Sequence, residues 1–198
     1  MKIGSIEVEP VHVDQSVPGA YGFIIHTTEG TIAYSSDLRL HGSRPQMTQE
    51  FVEKVKESKP EALIMEGTRI TEEKVSESEQ KVRKECKDIV KKTDKFIIAD
   101  FGFKDVYRLR TFYTIAKEND RKLVVLLKDA FLLKWLSRDP KLHIPSYDDD
   151  NIIIHLPKRG SGTYTDHDYG TREHEFLNLN NVWTAEQISR IRIKLSRQ

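Results

Sequence analysis

Hydrophobic and polar positions alternate near the start of the chain. Ile6, Val8, Val11 and Val13 open a first strand, Tyr21 to Thr27 form a second and Thr31 to Ser35 a third, with Glu29-Gly30 as the turn between the last two. Connections this short predict tight antiparallel pairing. Residues 12–20, between the first two strands, carry the sharp-turn pair Pro18-Gly19 and polar residues at a strand end, where functional loops tend to sit. The period then lengthens: Phe51, Val52 and Val55 fall at helical spacing, so a helix capped by Thr48 is expected to run to Ser58 and stop at Pro60. Ala62 to Met65 reads as a buried strand leading into Glu66-Gly67-Thr68-Arg69.

Beyond residue 70, Ser76 and Glu79 have the spacing of a capping box for a charged helix reaching Lys92, with Val82, Cys86, Ile89 and Val90 as its apolar stripe. Lys95 to Ala99 reads as a strand, Asp100 to Phe103 as a turn, Lys104 to Glu118 as a helix and Lys122 to Leu127 as a continuously apolar strand. A helix over Ala130 to Leu136 and a strand over Ile152 to His155 follow. Strands without alternation, separated by helices, predict an α/β fold whose parallel sheet has helices on both faces. Residues 157–181 are rich in Gly, Asp, Asn and Thr and read as a long irregular segment, after which Thr184 and Gln187 cap a basic C-terminal helix.

Composition narrows the function classes without choosing one. With 198 residues, 32% of them charged and 37% hydrophobic, the chain is neither disordered nor fibrous. Its longest apolar runs, such as Leu123 to Leu127, fall far short of the roughly 20 residues that span a bilayer. No secretory signal precedes Val8, so a cytoplasmic protein without a membrane partner is expected. The single cysteine, Cys86, excludes an internal disulfide or a thiolate metal cluster, and its helical neighbours Val82 and Val90 make it a core residue. Thirty-two Lys and Arg against 31 Asp and Glu leave a net charge of +1, which gives nucleic acid no global attraction. Local basic candidates are Arg108 and Arg110 on one helix, Lys158-Arg159, and Arg190, Arg192, Lys194 and Arg197; beside acidic neighbours, such residues more often form solvated faces. Asp166-His167-Asp168 with His174 lacks a metal-ligand spacing and reads as a loop, and the chain has no glycine-rich phosphate loop.

Three segments, residues 12–20, 30–39 (Gly-Thr-Ile-Ala-Tyr-Ser-Ser-Asp-Leu-Arg) and 63–68 (Leu-Ile-Met-Glu-Gly-Thr), resemble in order and spacing the metallo-β-lactamase-fold nucleases with a β-CASP domain. That family includes ribonuclease J, the endonuclease of messenger 3′-end processing and archaeal RNA-processing exonucleases, and the likeness is greatest to the archaeal branch. Phe96 to Val125, with Arg108 and Arg121-Lys122, resembles the first β-α-β stretch of β-CASP. The resemblance implies antiparallel strands of a partial metallo-β-lactamase domain over residues 1–69, followed by a parallel-sheet β-CASP domain over 70–198. It implies a zinc-dependent RNA hydrolase, in which Asp37 matches the aspartate bridging two metals. A shared carboxylate suits that position because it offsets the repulsion of two dications about 4 Å apart. Glu66 matches the acidic residue near the scissile phosphate and is the catalytic candidate; Thr68, Arg69 and Arg108 are the candidate phosphate or RNA contacts.

The 198 residues contain neither the His-x-His-x-Asp-His signature nor the later histidines of that family. The family turn Asp-His-Ser reads Asp14-Gln15-Ser16, placing an amide where a zinc-ligating imidazole is expected. The expectation is therefore the middle part of a longer enzyme, or a short degenerate relative, that holds no zinc and cleaves nothing alone, RNA being the partner of the parent enzyme. The rival reading is a non-catalytic module that binds RNA or pairs with an active homologue through exposed sheet edges. The apolar face of the strands over 6–36 is expected to be exposed, repacked or covered in a homodimer.

Overall fold

The computed structural model describes residues 1–68, 70, 71, 73, 76–102 and 104–195, with side chains as far as Arg190. It is a mixed α/β structure in two compact units, one of residues 1–82 with 104–107 and the other made of the remainder. No described helix is long and apolar enough to cross a membrane.

The first unit is built on a five-stranded sheet in the order β1 (Lys2–Ile3), β2 (Ile6–His12), β3 (Tyr21–Thr27), β4 (Gly30–Tyr34) and β5 (Ala62–Ile64). The first four strands pair antiparallel, as the short turns require, and β5 joins β4 in parallel after a crossover through α1 (Pro45–Ser58). Register opposes Glu9 to Ile24, Val11 to Gly22 and Ile24 to Ala33, so these residues share a face. That face carries the core of Val11, Val13, Ile24 and Phe51, with Ala20, Leu38 and Val55 packed around it. Gly22 lets the Phe51 ring lie against the backbone: a Cβ there would stand 2.4 Å from Cε2.

The opposite face presents Pro10, His12, Tyr21, Phe23, Tyr34 and Ile64. His12 and Tyr21 rings lie 4.2 Å apart, and Phe23 stacks on Tyr34 at 6.5 Å. Tyr21, Tyr34 and Ile64 are exposed. The strand over 62–65 is not buried as expected: it ends at Ile64, and Leu63, Ile64 and Met65 are each more than half exposed. The reason is its position, since an outermost strand has a neighbour on one side only.

Two helix starts also differ from expectation. Pro45 takes the first position of α1, where its missing N–H costs nothing, so Thr48 lies inside the first turn and is fully buried instead of capping. α2 (Glu79–Lys91) starts at Glu79, with the Ser78 hydroxyl accepting from the Lys81 N–H, which puts the cap two residues later than Ser76.

The second unit holds a parallel three-stranded sheet of β6 (Leu123–Leu126), β7 (Ile152–Leu156) and β8 (Val182–Thr184), with α3 (Val106–Glu118), α4 (Leu127–Leu136), α5 (Thr171–His174) and α6 (Ala185–Leu195). Ile152, Ile153 and Ile154 are all buried although neighbours on a strand point to opposite faces, so the central strand is covered on both sides, as its unbroken apolar run predicted. The capping box at Thr184 is present: its N–H donates to Gln187 Oε1 at 2.7 Å and its Oγ1 accepts from the Gln187 N–H at 3.3 Å. The strand expected over 95–99 does not form. Arg121 instead donates to the carbonyls of Thr93 and Lys95, satisfying acceptors that a ladder would have used, and Phe96 and Ile98 are exposed. β8 was not anticipated, because three residues carry too little period to register.

Gly22→Ala is expected to destabilise the first unit by about 1–3 kcal/mol through overpacking against Phe51. A denaturant midpoint unchanged from wild type would show that the ring has room to move.

Candidate functional site

β2 and β4 both run antiparallel to β3, and β5 runs parallel to β4, so the C-terminal ends of β2, β4 and β5 lie at one end of the sheet. Each leads into one of the segments singled out from the sequence: Asp14-Gln15-Ser16 after β2, Ser36-Asp37 after β4 and Glu66-Gly67-Thr68 after β5. The segments are tied together by backbone. Arg39 N–H donates to the Asp14 carbonyl at 3.0 Å, and Ser35 N–H donates to the Ile64 carbonyl at 2.9 Å. Topology therefore gathers at one sheet end what the sequence spreads over more than fifty residues.

A buried polar cluster organises the first two segments. Thr48 Oγ1 accepts from the Asp14 N–H at 2.9 Å and donates to the Arg39 carbonyl at 2.9 Å, closing a ring with the Arg39-to-Asp14 bond. Above the ring, Asp14 Oδ1 lies 4.0 Å from Arg39 Nε, and Arg39 reaches Glu79 at 3.8 Å on its other side. Asp14 is 1% exposed, and Arg39 Nε has no hydrogen-bond partner among the described residues. Burial pushes the Asp14 carboxyl above its ordinary range, with the Arg39 guanidinium pulling it back. Gly42 passes directly over this pair, where a Cβ would fall 2.1 Å from Asp14 Oδ2. None of Thr48, Arg39 and Glu79 was a site candidate from the sequence. A threonine read as a cap and an acid read as part of a capping box turned inward once the helices started elsewhere.

The candidate residues themselves stand at the surface of this frame. Gln15 is half-buried, and its Oε1 accepts from the Ser16 N–H at 2.5 Å, so its carbonyl is already engaged. Asp37 is exposed and follows Ser36, whose φ of 54° is left-handed and costly for a residue with a side chain. Glu66 and Thr68 are exposed and line an open depression with Leu63, Met65 and Ile70. Arg69 lies outside the described residues. Arg108 belongs to the second unit, half-buried on α3. His12 stacks on Tyr21, and His174 Nε2 bonds the Tyr169 carbonyl at 2.9 Å. Cys86 is half-buried, less enclosed than its helical neighbours suggested.

Two zinc ions require several imidazole and carboxylate donors converging at one place. Among the described residues no three His, Cys, Asp or Glu side chains do so: the two key turns bring the Asp37 carboxylate, the occupied amide of Gln15 and the Asp14 carboxylate, which is buried beside Arg39. These residues do not fit a dinuclear centre.

No protein-family model matches the sequence, and no curated protein matches it. Among solved structures the chain is similar to a protein of unknown function from Enterococcus faecalis, with 23% identity and a TM-score of 0.61 over 93% of this chain and 41% of that one. The chain thus spans about two-fifths of the length of that protein, and the likeness is one of fold.

Thr48→Val is expected to cost about 1–3 kcal/mol, because it strands the Asp14 N–H and the Arg39 carbonyl without partners, whereas Thr48→Ser keeps both bonds and most of the stability. Equal denaturation curves for the two variants would remove the ring from the account of this site. Asp14 adds a pH dependence. Its folded value lies above the unfolded one, near 3.8, so the native state keeps the proton longer, and stability drains away as pH rises from 3.8 through the folded value. Asp14→Asn is expected to flatten that decline in a series of melts across pH; an identical slope would show that Asp14 ionises freely.

Proposed function

We propose that these residues are the middle part, or a degenerate relative, of a cytoplasmic RNA-processing hydrolase of the metallo-β-lactamase and β-CASP type, and that they do not cleave RNA by themselves. The division is at residue 69, with partial lactamase strands before it and β-CASP after it. One observation carries the reading: the three segments that resemble the family's site motifs, at Gln15, Asp37 and Glu66, all leave the same end of one sheet. Clefts at the carboxyl ends of strands are where α/β folds hold substrates, and an exposed carboxylate at Glu66 beside the Thr68 hydroxyl suits contact with a phosphodiester and its attacking water.

No hydrolytic step is assigned to a metal, since the donors present do not fit one. What these residues offer is a frame: buried ion pairs fix the turns at Asp14 and Asp37, while surface groups face the substrate side. A second reading, a module that pairs with another protein chain such as a second copy or an active homologue, is favoured by the exposed sheet face of Tyr21, Tyr34 and Ile64.

Incubation of the purified chain with labelled single-stranded RNA, with and without added zinc, is expected to give binding without cleavage, and elemental mass spectrometry to give no stoichiometric zinc. Zinc-dependent cleavage lost in Asp37→Ala would overturn the inactive reading. A chain that binds no RNA would leave the protein-pairing reading, which a monomer in sedimentation at high concentration, with no homologue captured, would remove in turn.

A further inference from the structure

Among the basic residues that the sequence offers for an RNA path, Lys158 is ion-paired with Glu186 at 3.2 Å, Arg159 is ion-paired with Glu173, and Arg110 donates to the Leu142 carbonyl at 3.0 Å. A different surface of the second unit has the opposite character. On α4, Phe131 and Trp135 are four residues apart and so share a helical face, and Arg138 follows in the turn just beyond the helix. Trp135 is 50% exposed. The Arg138 guanidinium lies 4.4 Å over the indole centroid, and Lys134 Nζ is 5.8 Å from the same ring. Phe131 meets Trp135 edge-on at 6.3 Å, and Arg172 of α5 places its guanidinium 5.5 Å over Phe131.

Charge separates this surface from an ordinary solvated helix. Arg138 and Arg172 have no carboxylate within ion-pair distance among the described residues. The acids nearest in sequence are taken: Glu175 by Lys134, Asp139 by the Lys141 N–H at 3.0 Å, and Asp129 by the Leu126 N–H at 2.9 Å. Two unneutralised guanidinium groups placed over two aromatic rings favour a ligand that is anionic and carries planar faces of its own. A protein partner with acidic side chains supplies the charge but not the planes; duplex nucleic acid supplies the charge but hides its base faces. Single-stranded nucleic acid supplies both, because its unstacked bases lie on aromatic rings and on guanidinium planes while its phosphates meet the cations.

We propose that Phe131 and Trp135 on the outer face of α4, with Arg138 in the turn after it and Arg172 of α5, form a docking surface for single-stranded RNA. This inference rests on the RNA-processing reading and gives it a substrate-holding surface that the sequence motifs do not contain.

Fluorescence anisotropy with a fluorescein-labelled oligouridylate tests it, using the full chain. Trp135→Ala is expected to weaken binding about tenfold, the range of one base-stacking contact. Arg138→Gln and Arg172→Gln are each expected to weaken it and to lower the slope of log affinity against log salt by about 0.7 for single strands. Arg159→Gln, whose partner is Glu173, is expected to bind as wild type does. Circular dichroism checks each fold, and the two arginine variants decide the matter if Trp135→Ala unfolds. RNA binding that survives all three substitutions overturns the surface while leaving the RNA reading intact. Competition by polyglutamate or duplex RNA as effective as that of the single strand also overturns it. A wild-type chain that binds no RNA removes both the surface and the RNA reading.

Discussion

The first unit depends on one hydroxyl. Thr48 Oγ1 accepts from Asp14 and donates to Arg39, and the Arg39 N–H returns to Asp14, so the turns after β2 and β4 are locked to the first turn of α1. Removing a hydroxyl of this kind costs more than making it gains, because two buried backbone groups would be left without partners and without water. The ion pairs of Arg39 with Asp14 and Glu79 sit on that lock, in a space so close to the chain that only glycine fits at position 42. Burying both carboxylates in return for contacts near 4 Å is a weak source of stability. Its use is geometric: Gln15 and Asp37 are held by a frame that does not depend on anything bound to them.

The two sheets handle exposed edges and faces differently. In the second unit β7 is enclosed on both sides, and three consecutive isoleucines are buried. In the first, α1 covers only one face, while the other shows an aromatic row from His12 to Tyr34 and β5 ends the sheet with Leu63 and Ile64 exposed. A sheet of five strands with one dry face folds readily, yet the wet face keeps apolar surface that polar residues would normally occupy. The solved structure of similar fold is a chain more than twice as long.

Much of the local structure was legible. Strong alternation and two short turns gave β2, β3 and β4 almost to the residue, and the Thr184 and Gln187 pair marked the start of α6. The errors fall where a local signal competes with a partner further along the chain. The apolar run over 95–99 has the look of a strand, but no ladder forms there, and Arg121 bonds the carbonyls of Thr93 and Lys95 at its start. Thr48 has the chemistry of a cap, but Pro45 took the helix start and freed the hydroxyl for the core. Arg159 has the look of an RNA contact, but Glu173, 14 residues further on in α5, is paired with it.

The candidate site divides in the same way. Sequence alone singled out Asp37, Glu66 and Gln15 as candidates, because the segments that resemble the family's motifs are properties of the chain. It determined the fold class as well, since the switch from alternating to continuous apolar strands reflects a half-covered sheet followed by a fully covered one. Only the tertiary structure decided that the three segments leave one end of one sheet, since strand direction depends on pairing across distant residues. It alone decided which charges are spent on each other. Arg39 and Arg159 are matched to acids far off in sequence, whereas Arg138 and Arg172 are left over aromatic rings, and no pattern along a chain encodes which cation will find an anion within reach.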